Sequence, residues 1–224
     1  AAAVICRRGE SYETALLNIK KAEKKALQLF GPTSARYARV LESFAGVYHD
    51  YGFSDNDELY IRQEGKYLTE ASSIYSLFDS REAAFMSANN KACLAAWYNN
   101  TGNSPRAETY MQEVVSFYLK NYGNNHPAYA TALNNLGVIY YGSGNFRLAE
   151  KNFIEALAIL KKNPGRSAKR TAVIINNLGA LYHEIGNFAN ARIVLNEADQ
   201  YFREASVTES PEYSVMLNNL AAVY

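Results

Sequence analysis

The sequence predicts an all-α fold, a solenoid of antiparallel helix pairs, and three observations carry that expectation. The stretch NNLGVIYYGSGNFRLAEKNFIEALAIL, Asn134–Leu160, returns 42 residues later as NNLGALYHEIGNFANARIVLNEADQYF, Asn176–Phe202. Within each copy the apolar residues recur at three- and four-residue steps, the period of one helix face. Between the two helical runs stands Gly-Asn (Gly144-Asn145, Gly186-Asn187), a turn signal because glycine adopts positive φ without steric cost. Such a hairpin cannot bury its apolar face alone, so neighbouring copies must stack.

The chain opens on the back half of a unit, SYETALLNIKKAEKKALQLF, in which Tyr12, Ala15, Ile19 and Ala22 keep the spacing of Phe146, Ala149, Phe153 and Ala156; a second-type (B) helix is expected over 9–29. A first-type (A) helix follows over 36–51, with Phe44 in the place of Leu136 and Tyr48 in that of Tyr140. The next B helix is expected over 58–78. Eight residues more than usual separate Phe44 from Leu94, and they are read as a longer loop around SDNDE or as about two added helical turns. A and B helices then alternate over 84–101 and 104–120, 126–142 and 145–162, 168–184 and 187–204. The series ends on an A helix over 211–224. His126-Pro127 is an entry signal, since proline fits a first helical turn. Gly137, Gly179 and Ala45 fall mid-helix, where glycine costs about 1 kcal/mol relative to alanine, so a close helix approach is expected there.

The whole chain, residues 1–224, is therefore read as one repeat segment. It has a partial repeat at 1–33, repeats near 34–83, 84–125, 126–167 and 168–209, and a partial repeat at 210–224. It starts without Met and stops inside a repeat, as expected of a piece cut from a longer protein. A net charge of +1 gives no general pull toward nucleic acid or anionic membrane, so neither is expected as a partner. Cys6 and Cys93 match no metal-ligand spacing and are read as buried free thiols of a cytoplasmic protein.

In the pattern Leu-Gly-x-x-Tyr of the A helices and Ala-x-x-x-Phe-x-x-Ala of the B helices, the chain resembles tetratricopeptide repeat (TPR) proteins. Pro127–Ile159 is similar to the 42-residue variety of kinesin light chains. Leu136, Gly137, Tyr140, Ala149, Phe153 and Ala156 carry the match, as do Leu178, Gly179, Tyr182, Ala191, Leu195 and Ala198. The resemblance implies a right-handed superhelix whose A helices line a concave groove. It implies a non-enzymatic scaffold that binds an extended peptide or protein segment, intramolecular or from a partner. The alternative it implies is a regulatory or sensor region of a larger bacterial signalling enzyme such as a caspase-like CHAT protease.

A search for chemistry finds little. His49, His126 and His183 belong to no metal-spaced cluster, and the Gly-x-Gly of YYGSGN lacks the lysine and strand context of a phosphate loop. No catalytic residue, metal site or cofactor is expected. Lys20, Lys21, Lys24 and Lys25 around Glu23, and Lys161, Lys162, Arg166, Lys169 and Arg170, read as solvated faces and helix-end cations. The paired asparagines are more informative. Asn134 and Asn135 recur as Asn176 and Asn177 and as Asn218 and Asn219, setting a ladder of carboxamides along stacked A helices. An Asn side chain both donates and accepts, so it can hold a neighbouring repeat or an extended backbone of any sequence. The resemblance points to a peptide groove made of Asn134, Asn135, Val138 and Tyr141, then Asn176, Asn177 and His183, then Asn218 and Asn219. Asn99 and Arg39 are further candidates from copies that depart from the motif.

Overall fold

A computed structural model describes residues 12–55, 58–162 and 168–224, and these are helical apart from short connections. Ten helices follow one another among them: α1 Tyr12–Phe30, α2 Ala35–Asp55, α3 Glu58–Tyr75, α4 Arg81–Asn100 and α5 Ser104–Tyr122, then α6 Pro127–Gly142, α7 Phe146–Lys161, α8 Ala168–Glu184, α9 Phe188–Glu204 and α10 Pro211–Ala221. The even-numbered helices are the A helices and the odd-numbered ones the B helices of the repeat. Cys6 and Arg166 lie outside the described residues.

The chain divides into two compact units, one up to Thr101 and one from Gly102 on. In the first, α1 packs on α2, α2 on α3 and α3 on α4. Ile19, Tyr37, Leu41, Phe44, Ala71 and Tyr75 form its core, and each is at most 3% exposed. Tyr67 lies edge-on to Phe44 at 5.3 Å and stacks on Tyr48 at 5.6 Å. In the second unit each helix from α5 to α10 packs on the next, and α8 also touches α6 and α10. The small residues of the repeat pattern, Ala149, Ala156, Ala191 and Ala198, are all fully buried, because the helices meet across them.

The recurring Gly-Asn is a two-part joint. Gly144 has φ +76° and Gly186 +77°, the left-handed conformation that ends a helix. The following asparagine then donates its backbone N–H back into helix A, Asn145 to Tyr140 O and Asn187 to Tyr182 O, both at 2.8 Å. Its side chain caps helix B, Asn145 Oδ1 accepting from Leu148 N and Asn187 Oδ1 from Asn190 N. At the front of α6, Pro127 occupies the first turn and His126 Nδ1 accepts from Ala128 N at 3.1 Å.

The mid-helix glycines answer to close approach. A Cβ on Gly137 would lie 2.6 Å from the Phe153 ring, and one on Gly179 would lie 2.5 Å from Leu195 Cγ. Helix B therefore rests an apolar side chain, Phe153 or Leu195, on the A-helix backbone. The eight extra residues go into helices: α2 runs eleven residues past Phe44, whereas α6 stops six past Leu136, and α4 starts thirteen residues before Leu94, whereas α6 starts nine before Leu136.

Candidate functional site

The asparagine pairs sit mid-way along α6 and α8 and near the end of α10, and the two members of each pair do different work. Asn134 is 8% exposed and Asn176 7%. Asn177 Nδ2 donates to Asn134 Oδ1 at 2.9 Å, and Asn219 Nδ2 donates to Asn176 Oδ1 at the same distance. The first asparagine of each repeat thus accepts from the second asparagine of the next, and the bond ties adjacent A helices together. Asn134 Nδ2 also donates to Asn135 Oδ1 at 3.3 Å. Asn135, Asn177 and Asn219 are half-buried and Asn218 is exposed.

One and two turns further on, Val138 is 36% exposed and Tyr141 and His183 are half-buried. Each ring has a partner at the start of the following B helix: Tyr141 lies 5.9 Å from Phe146 and His183 5.4 Å from Phe188. The second pair repeats the first 42 residues on, and Phe188 is 52% exposed. Burial and the nearby Glu184 carboxylate push the Tyr141 phenol above its ordinary value, so it stays a neutral donor. The second unit therefore joins Asn134 to Asn177 and Asn176 to Asn219, with Asn135, Val138 and Tyr141 on α6, His183 on α8 and Asn218 on α10. In the first unit Arg39 is exposed on α2 and Asn99 half-buried at the end of α4.

A second periodic pairing was present in the sequence and escapes a reading based on apolar spacing. Tyr140 donates to Glu108 Oε1 and Tyr182 to Glu150 Oε1, both at 2.9 Å and both across 32 residues. The next copy replaces the carboxylate by Arg192, whose guanidinium lies 6.0 Å from the Tyr224 ring. Burial, then the Glu150 bond, pushes the Tyr182 phenol up to about 12. The signal was a glutamate recurring at 42 residues in step with the tyrosine.

Other expectations resolve differently. Cys93 is free and exposed rather than a core thiol, because α4 turns that position outward. Desolvation of the sulfur, then the Glu42 and Glu64 carboxylates, raise the thiol, the opposite of an activated nucleophile. His49 Nδ1 lies 3.0 Å from Glu64 Oε1, a histidine–carboxylate pair. Lys161 pairs with Glu197 at 2.8 Å and Lys169 with Glu212 at 3.0 Å, so part of the second basic cluster holds neighbouring helices. Lys20, Lys21, Lys24 and Lys25 lie on α1. Among the described residues no group of three His, Cys, Asp or Glu is placed to hold a metal ion, and no helix is long and apolar enough to cross a membrane.

Residues 85–162 and 172–205 each match the tetratricopeptide repeat family. No curated protein matches the sequence. Several solved structures share the fold. BtubC (BKLC) from P. vanneervenii is 20% identical with a TM-score of 0.69, over 95% of this chain and 81% of that one. A Podosopora anserina protein described as a putative kinesin light chain with nearly identical TPR-like repeats is 15% identical with a TM-score of 0.69, over 87% of this chain and 88% of that one. Aspartyl phosphate phosphatase F from Bacillus subtilis is 14% identical with a TM-score of 0.70, over 93% of this chain but only 54% of that one. Matched by the repeat family over two stretches and built throughout its described residues of A and B helices, the chain belongs to the tetratricopeptide repeat family, an α-solenoid of helix pairs with repeats like those of kinesin light chains.

Proposed function

We propose that the chain is a non-enzymatic interaction scaffold that binds an extended peptide or protein segment along the exposed side of its A helices. The observation that carries this reading is the division of labour within each asparagine pair. Stacking consumes the Oδ1 of Asn134, the Nδ2 of Asn177, the Oδ1 of Asn176 and the Nδ2 of Asn219, and Asn134 and Asn176 are themselves buried. What remains on the A-helix face is the Nδ2 of Asn135, the Oδ1 of Asn177, the Oδ1 of Asn219 and the whole of Asn218. Those are the donors and acceptors that an extended backbone needs, whatever its sequence.

Val138 and the Tyr141–Phe146 and His183–Phe188 pairs flank this row and supply the side-chain selectivity. Each neutral hydrogen bond contributes only about 0.5–1.5 kcal/mol net, so useful affinity requires several repeats to act together. Arg39 and Asn99 extend the same role to the first unit.

The test selects peptides from a phage-displayed dodecapeptide library on the intact chain and compares Asn135→Ala and Tyr141→Ala/His183→Ala variants. Loss of capture with unchanged helical melting supports the reading. Equal capture by all variants, or no selected peptide at all, overturns it.

A further inference from the structure

The B helices begin their packing face on an alanine, Ala15, Ala107, Ala149 and Ala191, and continue it four, seven and eleven residues later. In α3 the same spacing leads to Leu68, Ala71 and Tyr75, all buried, but the alanine is replaced by Glu64. The carboxyl therefore stands where its counterparts Ala107, Ala149 and Ala191 are fully buried, and it is itself only 5% exposed. An ionisable group has entered the packed face of one repeat.

Its surroundings suit a charge on one side only. His49 Nδ1 on α2 lies 3.0 Å from Oε1, whereas Oε2 is buried with no hydrogen-bond partner among the described residues. α3 packs on α2 and on α4. From α2 the carboxyl also faces Asp50, a like charge. From α4 the Cys93 thiol stands in its field, and burial and the Glu42 and Glu64 carboxylates raise that thiol, so it adds no charge. A buried carboxylate with one unpaired oxygen is costly, and the neutral acid much less so. Burial raises the Glu64 pKa above 4.5, more than the His49 contact lowers it, and Asp50 adds to the rise.

We propose that Glu64 is a proton-operated tie between α2 and α3: with its proton the two helices close on it, and without it their packing loosens. His49 is the counter-charge that sets where on the pH scale the change falls. The folded chain binds this proton more tightly than the unfolded chain. The stabilisation is therefore full below pH 4.5 and is lost as the pH rises through the folded pKa.

The chain's single tryptophan provides the readout. Trp97 Nε1 donates to Ile61 O at 2.8 Å, and the indole lies against Gly65, the residue after Glu64. The intact chain is unfolded in urea at about pH 5 and about pH 7.5 with Trp97 fluorescence as the probe, beside Glu64→Gln and Glu64→Ala. Glu64→Gln has the shape of the neutral acid, and Glu64→Ala restores the residue of the other B helices. The midpoint of Glu64→Gln minus that of the parent is expected to rise from the lower pH to the higher. A difference that stays constant or falls overturns the tie, and Glu64→Ala is judged by the same rule should Glu64→Gln not fold. On the unaltered chain, the 13C signal of the Glu64 carboxyl is expected to titrate with a midpoint above 4.5. His49→Ala is expected to move that midpoint further up, because the counter-charge is gone. A midpoint at or below 4.5, or one that His49→Ala leaves in place, overturns the proposal.

Discussion

A carboxamide on an A helix can hold the neighbouring repeat or hold a ligand, and Asn134 and Asn176 are committed to the neighbour by 2.9 Å bonds in buried positions. Asn134→Ala or Asn176→Ala leaves the Nδ2 of the next repeat without its acceptor. Each is expected to lower stability by about 1–3 kcal/mol, read from denaturant unfolding. Asn135→Ala, at a half-buried site, is expected to stay within about 0.5 kcal/mol of the parent. Glu42 makes a pH-dependent case. Burial raises its pKa from 4.5, more than the Tyr75 and Asn90 contacts and Arg39 lower it. The folded chain therefore binds this proton more tightly than the unfolded chain, so the stability it contributes is full below pH 4.5 and is lost as the pH rises through the folded pKa. Glu42→Gln keeps an acceptor for Tyr75 and removes the charge. It is expected to raise the melting temperature at about pH 7.5 and to make little difference at about pH 4; an equal shift at both pH values would count against the assignment. The asparagine pairs were legible from sequence because they repeat. Which member turns to the neighbour was not, since successive helix residues point about 100° apart and the apolar period leaves the helix rotation loose by about that much. The Tyr75–Glu42 and His49–Glu64 pairings escaped because neither leaves a period to find.

Helix order and type were legible for a simple reason: the same packing problem is solved again every 42 residues, and each solution leaves the same small and large residues in place. Among the described residues the bounds agree to within about four residues, and departures of three or four fall at the end of α2 and the start of α4 as well as at the ends of α3 and α10. In α2 and α4 the eight added residues extend the helices, and Ser80, whose Oγ accepts from Ala83 N at 3.1 Å, starts α4 earlier than the apolar pattern does. Glycines separate two roles that sequence treats alike. Gly46 lies in α2 with nothing within 4 Å of the place an alanine Cβ would take, whereas Gly137 has the Phe153 ring at 2.6 Å. Gly46→Ala is expected to stabilise by about 0.5–1 kcal/mol through helix propensity alone. Gly137→Ala is expected to destabilise by about 1–3 kcal/mol, as overpacking does, because Phe153 must leave its place. Opposite signs in matched thermal melts are the check. The end of α9 offers a third case. Ser206 has φ +53° where the other joints use glycine, yet it makes the same closing bonds, Ser206 N to Arg203 O at 3.0 Å and Val207 N to Phe202 O at 3.2 Å. Ser206→Gly relieves that conformation and is expected to raise the melting temperature, the gain reduced by the greater freedom of glycine in the unfolded chain.

In a repeat stack each unit touches only its neighbours, so stability is close to a sum of unit and interface terms rather than one indivisible quantity. Here the sum has two compact parts, the helices up to Thr101 and those from Gly102 on, each with a core of its own. The asparagine bonds belong to the second part and the single tryptophan, Trp97, to the first. Fluorescence from Trp97 therefore reads the unfolding of α2–α4, while the helical circular-dichroism signal reads all ten described helices. In the Asn134→Ala/Asn176→Ala double variant the broken bonds lie between α6, α8 and α10, remote in the chain from the helices that surround the indole. The dichroism transition is expected to move to lower denaturant and broaden, because part of the helix content now melts early. The fluorescence midpoint is expected to move by less than about half as much. If the two signals shift together, local additivity fails and the chain unfolds as one cooperative body; if they separate, damage to one part of the A-helix face leaves α2, α3 and α4 folded.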